Sequence, residues 1–404
     1  MVKRIFKPAA RTERITYAIR EVAQEAKKLE DETGAKIIYL NIGDPTKYDF
    51  DVPSHVKEAM CQAVQEGYNF YASSWGLDEL REAIVKREKR DNGISISPND
   101  ILVTSGTAEA ILAILAASFS PRDEILVPSP VYPPYISAAE FYDVNPVEYR
   151  TIEEEGWIPD IDDIRKKITE KTKAIIIINP NNPTGAVYSP KLVKEIIDIA
   201  GEHDLFVISD EIYDKIVFEG DKAPNAASLA NDVPTIVLYG LSKVYLATGW
   251  RVGYMYKWDP ENRLSKIWQA MLKFLMVRIS GFTPAQRAAI VALLGPQDHI
   301  KELISKLRER RDYVYRRFNE MDGIFATLPK GAFYIFPRIE LEKYRNKDKE
   351  FVLGLLREEK VLVVHGSGFG FCGRDHFRLV FLPPLEILET ALNRIEKFVK
   401  KHKK

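Results

Sequence analysis

Cysteine is scarce: only Cys61 and Cys372 occur in 404 residues. Two distant thiols exclude a disulfide scaffold and lack the paired spacing of a zinc site. They read as reduced structural residues, and no metal site is expected. No charge of one sign dominates either, because 58 lysines and arginines face 58 aspartates and glutamates. A formal net charge of +0 removes the electrostatic basis for generic binding to nucleic acid or to an anionic membrane. Long hydrophobic runs are missing too. The longest, Ala108 to Phe119, contains Glu109 and falls well short of the roughly 20 residues that cross a bilayer. Near the N-terminus Lys3, Arg4, Lys7, Arg11 and Arg14 are closely spaced, but no apolar segment follows as in a secretory signal. The chain therefore reads as cytoplasmic. What is plentiful is core-forming material: 46% of residues are hydrophobic and 29% charged, the balance of a large globular protein.

Periodicity gives the layout. Ile15, Ile19, Val22, Ala26 and Leu29 alternate steps of four and three, which puts them on one helical stripe, and Gly34 ends it. From about residue 100, short apolar runs alternate with helical patterns: Ile101 to Thr104, Glu124 to Val127, Ala174 to Ile178, Leu205 to Ser209, Thr235 to Tyr239 and Val252 to Tyr256. One intervening helix, marked by Leu192, Ile196 and Ile199, is expected to close at Gly201. Strands buried on both faces and joined by crossover helices predict an α/β fold with a mostly parallel sheet. After Gly295-Pro296 comes a long helix through Ile300, Leu303, Leu307, Val314 and Phe318. Strand-like segments follow at 332–336, 361–364 and 377–381, suiting a smaller α+β unit. A helix from about Leu385 closes the chain, and the final Lys-Lys-His-Lys-Lys reads as a solvated tail.

Polar residues gather where the predicted strands end, the place at which open α/β sheets bind ligands. Ser105-Gly106-Thr107-Ala108 follows a strand and opens a helix, which suits either an anion site or an ordinary helix cap by Ser105 or Thr107. Asn179-Pro180-Asn181-Asn182-Pro183-Thr184-Gly185 ends a strand of four isoleucines and is turn-like in composition. Asp210, in Ser209-Asp210-Glu211-Ile212-Tyr213, ends another apolar strand, so its carboxylate needs a cation or donors to stay charged. Lys243 leaves one strand and Arg251 enters another eight residues later, with small and hydroxyl residues between them.

Taken together, Asn182-Pro183-Thr184-Gly185, Asp210-Glu211-Ile212-Tyr213, Ser242-Lys243 through Gly249-Trp250-Arg251 and the late Arg378 resemble the class I/II aminotransferases of fold type I. The resemblance covers nearly the whole chain. It implies a seven-stranded, mostly parallel sheet in a large domain of residues 44–294, with a small domain built from 1–43 and 295–404. It also implies the cofactor pyridoxal 5'-phosphate (PLP). Lys243 resembles the lysine that forms the Schiff base with PLP, and Asp210 the carboxylate on the pyridine nitrogen. Tyr213 and Asn182 resemble the pair at the ring 3-oxygen, and Tyr132 the aromatic stacked on the ring. Gly106, Thr107, Ala108, Ser242 and Arg251 correspond to the phosphate cup. Tyr71 corresponds to the tyrosine that reaches the phosphate of a neighbouring subunit, which implies a homodimer. Arg378 resembles the arginine that binds the substrate carboxylate, and Gly43 a backbone position that closes over the substrate. The loop Gly366 to Gly370 resembles a domain hinge.

Dicarboxylate-specific relatives place a second arginine in the segment corresponding to 277–284, and here Arg278 does not align with it. Leu40 to Asp44, Tyr71 to Leu77 and Gly240 to Lys243 look most like alanine aminotransferases. The expected reaction is ping-pong transfer of the amino group of L-alanine to 2-oxoglutarate. The alternatives are an aspartate or a broad, aromatic-accepting aminotransferase, or a PLP-dependent lyase of the same fold. A non-catalytic sensing domain would need a DNA-binding module before residue 40, and a nicotinamide dehydrogenase a glycine fingerprint; neither pattern is present.

Overall fold

The computed structural model describes residues 6–403; Lys3, Arg4 and the terminal Lys404 lie outside them. The helices are α1 (Ala18–Thr33), α2 (Ser54–Gln65), α3 (Asp78–Asn92), α4 (Thr107–Ser118), α5 (Pro134–Phe141), α6 (Ile161–Lys167), α7 (Pro190–Glu202), α8 (Ser265–Met276), α9 (Thr283–Leu294), α10 (Asp298–Asn319), α11 (Asp348–Glu359) and α12 (Leu385–His402). After β1 (Ile38–Tyr39), the central strands are β2 (Ile101–Thr104), β3 (Glu124–Ser129), β4 (Asn145–Ile152), β5 (Ile158–Pro159), β6 (Thr172–Ile178), β7 (Phe206–Asp210), β8 (Thr235–Gly240) and β9 (Gly253–Trp258).

These eight form one sheet in the order β2-β9-β8-β7-β6-β3-β4-β5. Strands β8, β7, β6, β3 and β4 pair in parallel, whereas β9 runs antiparallel to both β8 and β2. The expected seven strands are thus present, and β5, two residues antiparallel to β4, adds an eighth. Residues alternate between two cores because the side-chain period of a strand is two. In β6, Ile175 and Ile177 join one core while Ala174, Ile176 and Ile178 join the other. Both faces are covered, as the continuous apolar runs require.

Past α9 the strands are short: β10 (Ile324–Phe325), β11 (Tyr334–Ile335), β12 (Arg338–Ile339), β13 (Val361–Leu362), β14 (Val364–His365) and β15 (Phe377–Val380). Strand β15 lies between β11 and β14, antiparallel to each. Strand β1 pairs in parallel with β13, and Val380 N–H donates to Leu40 O at 3.0 Å, which ties the N-terminal segment to the late part of the chain.

Several details differ from the periodicity. Ile15 lies outside α1 and is 50% exposed, because the helix starts only at Ala18; Gly34, with φ +67°, does end it. Helix α7 runs one residue past Gly201. The lysine-rich end is helical as far as His402, whose ring packs on Phe398 at 4.4 Å and pairs with Glu358, so it is not merely a solvated tail. At the opening of α4, neither Ser105 nor Thr107 caps the helix: Gly106 holds the cap position at φ +75°, with no side-chain cap bond.

Candidate active site

The parallel strands point their carboxyl ends at one cavity of about 450 Å³. Its wall includes Gly43, Thr107, Ala108, Tyr132, Asn182, Asp210, Tyr213, Ser242, Lys243, Arg251 and Arg378, residues spread over more than 300 positions of sequence. Gly106 adjoins this group: a Cβ on it would lie 2.6 Å from Arg251 Nη2. Tyr71 does not join them; its side chain is 79% exposed, away from the cavity of its own chain.

Lys243 sits in the turn after β8, and its Nζ donates to Gly43 O at 2.7 Å. Burial disfavours the ammonium and brings its pKa down to about 8; Arg378 and Arg251 push the same way, against Asp44 and Asp210. Asp210 ends β7. Its Oδ2 accepts from Tyr135 Oη at 2.8 Å and its Oδ1 from Ile212 N–H at 3.2 Å. Desolvation outweighs those donors and pushes this acid up to about 6.

Arg378, on β15, is 1% exposed. Nη1 donates to Asn182 Oδ1 at 2.9 Å and Nη2 to Asn41 O at 2.5 Å, while Nε has no partner among the described residues. The guanidinium lies 4.5 Å from the ring centre of Tyr334 and 4.9 Å from that of Phe369. Among the described residues it pairs with no carboxylate, and burial lowers its pKa. A buried fork held by neutral acceptors keeps its charge free for an incoming anion. Tyr213 Oη shares a hydrogen bond with Tyr334 Oη at 2.8 Å, and Tyr132 Oη one with Tyr17 Oη at 3.1 Å.

Arg251, in the left-handed region at φ +56°, turns its fork back to Thr248 O and Ser105 O, at 3.0 and 3.3 Å. A Cβ on Gly253 would sit 2.7 Å from the carbonyl carbon of Gly106, so two glycines let this strand and the start of α4 close together. The uncapped first turn of α4, the Ser242 hydroxyl and the Arg251 fork make an anion cradle. PLP fits the donor set. It carries a phosphate for this cradle, a ring nitrogen whose cation would answer Asp210, and an aldehyde for the amine of Lys243.

Sequence reasoning missed Tyr17, Asn41, Asp44, Tyr135 and Tyr334. Asp44 Oδ1 accepts from Thr248 Oγ1 at 2.8 Å and ties the Gly43 segment to the loop after Lys243. Asp44 directly follows Gly43 in the motif already singled out, which was the available signal. Arg278, the residue that did not align, donates from Nε to Glu109 Oε2 at 2.8 Å and from Nη2 to Val103 O at 2.6 Å within its own chain.

Comparison with known proteins agrees with this geometry. The family profile described as aminotransferase class I and II matches residues 35–395. The glutamate-pyruvate aminotransferase AlaA of Haemophilus influenzae is 38% identical over 401 residues, 98% of each chain. The aromatic-amino-acid aminotransferase 2 of Thermococcus litoralis is 40% identical over 372 residues, 91% of this chain and 92% of its own. A solved alanine aminotransferase from Pyrococcus furiosus superposes with a TM-score of 0.95 at 57% identity, covering 98% of this chain and 100% of that one. With its family profile matched along most of its length and its buried amine, acid and arginine fork converging on one cavity, the chain belongs to the class I and II aminotransferases and is a pyridoxal-phosphate-dependent enzyme.

Proposed function

We propose that the protein moves the amino group of L-alanine to 2-oxoglutarate, giving pyruvate and L-glutamate. One observation carries the reaction type: an amine that burial holds near pKa 8 shares one cavity with an arginine fork that pairs with no carboxylate among the described residues. Such an amine is neutral in about one molecule in ten at pH 7, far more often than an ordinary lysine, and would serve as the base that takes the proton from the substrate Cα and the acid that returns it. Arg378 holds the α-carboxylate of each substrate in turn, and so keeps that Cα within reach of Lys243. Asp210, oriented by Tyr135, would hold the ring nitrogen; Tyr213 and Asn182 would serve the ring 3-oxygen, Tyr132 the ring face, and Gly106, Thr107, Ala108, Ser242 and Arg251 the phosphate. Bound PLP supplies the electron sink that stabilises negative charge at Cα. In the cofactor-free chain Gly43 O accepts from Lys243 Nζ and holds the amine at the cavity wall.

The small substrate is supported by the bulk of Tyr17, Ile19 and Ile42 in the cavity lining, where the Tyr17 hydroxyl is tied to that of Tyr132 at 3.1 Å. Arg20 also lines the cavity and offers the longer oxoacid a cation for its second carboxylate. The pairing of Arg278 with Glu109 weighs against a dedicated aspartate site. The likeness to the Thermococcus protein favours an aromatic-accepting enzyme as the second reading.

The enzyme acts in the cytoplasm as a homodimer, with residues 44–294 as its large domain and 1–43 with 295–404 as the small one. Support for a second copy comes from one apolar patch. Phe70, Tyr71, Val277, Ile279 and Phe282 are all more than half exposed, and their two loops are joined by Thr283 Oγ1 to Phe70 O at 2.7 Å and Ser74 Oγ to Ile279 O at 2.6 Å. Burying that patch would carry Tyr71 to its place beside the partner's cofactor. Among the described residues no helix is long and apolar enough to cross a membrane.

The test is spectroscopic. The absorbance of the bound cofactor should bleach with alanine and return with 2-oxoglutarate, and Lys243→Ala should abolish turnover. Bleaching by phenylalanine or aspartate but not by alanine would overturn the substrate, and turnover surviving in Lys243→Ala would overturn the mechanism.

A further inference from the structure

Tyr334 has no place in the mechanism above, yet it touches three of its parts. It lies on β11, buried at 2% exposure, and its hydroxyl is 2.8 Å from that of Tyr213. Its ring face lies 4.5 Å under the guanidinium of Arg378. A Cβ on Gly43 would come within 2.1 Å of the same hydroxyl, so the backbone that accepts from Lys243 is packed directly on it. We infer that Tyr334 is a positioning residue: its hydroxyl fixes the direction of the Tyr213 hydroxyl bond, and its ring fixes the plane of the Arg378 fork. The inference rests on the transamination reading.

The bond direction follows from proton counting. A phenol has one proton to donate and lone pairs with which to accept. If Tyr213 gives its proton to the ring 3-oxygen, the bond to Tyr334 must be donated by Tyr334. A hydroxyl that accepts in this way becomes a stronger donor itself. The pair therefore stabilises negative charge on the 3-oxygen and opposes protonation of the cofactor's joint with Lys243. The charged and titratable groups facing the pair are Arg378 on β15, Asp210 at the end of β7 and Tyr17 before α1. The ring of Phe369, at 4.9 Å, is the other aromatic beside the Arg378 guanidinium among the described residues, so loss of the Tyr334 ring would remove the nearer of two ring contacts.

The experiment uses the PLP-loaded protein and two substitutions. In Tyr334→Phe the ring stays and the hydroxyl goes. The pH midpoint of the cofactor's absorbance should rise by about 0.5 to 1 unit, the effect of one lost hydrogen bond. Affinity for propionate, a carboxylate of alanine's size without its amine, should stay within about twofold. In Tyr334→Leu the ring goes as well, and propionate should bind about tenfold more weakly as the cation–ring contact is lost. Tyr213→Phe should cancel the midpoint shift produced by Tyr334→Phe, because the effect travels through Tyr213. An unmoved midpoint in Tyr334→Phe, or a shift that persists in the double variant, overturns the inference. If the wild-type absorbance is itself insensitive to Lys243→Ala, the transamination reading fails instead, so the two failures are distinguishable.

Discussion

Replacing Asp210 by asparagine should stabilise the cofactor-free protein and at the same time weaken its grip on PLP. The carboxyl is 4% exposed, and desolvation pushes its pKa to about 6 from an ordinary 3.8, despite donation from Tyr135 and Ile212 and the nearby Lys243. The folded value is the higher one, so the fold binds this proton more tightly than the unfolded chain does. The stability tied to the protonated carboxyl is fully present below about pH 4 and is lost as pH rises through about 6. Above that it is missing by about 3 kcal/mol, at 1.36 kcal/mol per unit. Asparagine has no charge to desolvate. Its carbonyl can accept from Ile212 N–H and its amide can donate to Tyr135 Oη; the Tyr135 proton then loses its acceptor, which offsets about 1 kcal/mol or more of the gain. Urea unfolding of cofactor-free protein should therefore show Asp210→Asn more stable by up to about 2 kcal/mol at pH 7, with the advantage fading towards pH 4. Equilibrium dialysis should show PLP bound about 10 to 100-fold more weakly, because a charge-assisted bond to the ring nitrogen is lost. A variant less stable than wild type at pH 7, or a difference independent of pH, would refute the reasoning.

Arg378→Lys should lower kcat/KM about 100-fold for alanine and for 2-oxoglutarate alike, since a point charge replaces the fork and leaves the acceptors Asn182 Oδ1 and Asn41 O poorly met; steady-state kinetics would count against it if only one substrate were affected. Gly43→Ala should lower kcat and weaken propionate binding, because the added methyl would overlap Tyr334 Oη at 2.1 Å and Phe333 at 2.9 Å. Binding unchanged in that variant would mean that this backbone has room to give.

Lys243, Asp210 and Arg378 were legible, whereas the charged Asp44 and the tyrosines Tyr135 and Tyr334 that orient the site were not. Asp210 stands out because a carboxylate at the end of an apolar strand demands a cation or donors; Lys243 and Arg378 stand out only through the family motifs they complete. Tyr135 and Tyr334 sit among Pro, Ile and Phe, where an aromatic is ordinary core, and only the folded chain reveals what their hydroxyls reach. Strand β4 escaped notice because Glu148 and Arg150 face partly outward and break the apolar run that marked its neighbours. The segment at 332–336 looked like a full strand, yet only Tyr334 and Ile335 pair with β15. Ala332 N–H instead donates to Ile216 O at 2.8 Å, in the loop beyond Asp210. Tyr71 is a different case, since its expected role needs a second copy of the chain and its own cavity gives it nothing to touch.

The electrostatics of the cavity explain why these residues are held in an arrangement that costs stability. Four cationic side chains, Arg20, Lys243, Arg251 and Arg378, line it against two carboxylates, Asp44 and Asp210. The surplus is positive and partly desolvated, which is why the ammonium of Lys243 is weakened and why Arg378 is left with an Nε unpaired among the described residues. An aromatic ligand with a phosphate at one end and a ring cation at the other would correct each misfit separately, its phosphate answering Arg251 and its ring nitrogen Asp210, and a substrate carboxylate would then answer Arg378. A ligand that binds only the folded chain adds its binding free energy to stability. Stability forgone by burying Asp210 and Lys243 in the empty fold is thus returned as selectivity for a ligand that carries those complementary charges at those positions.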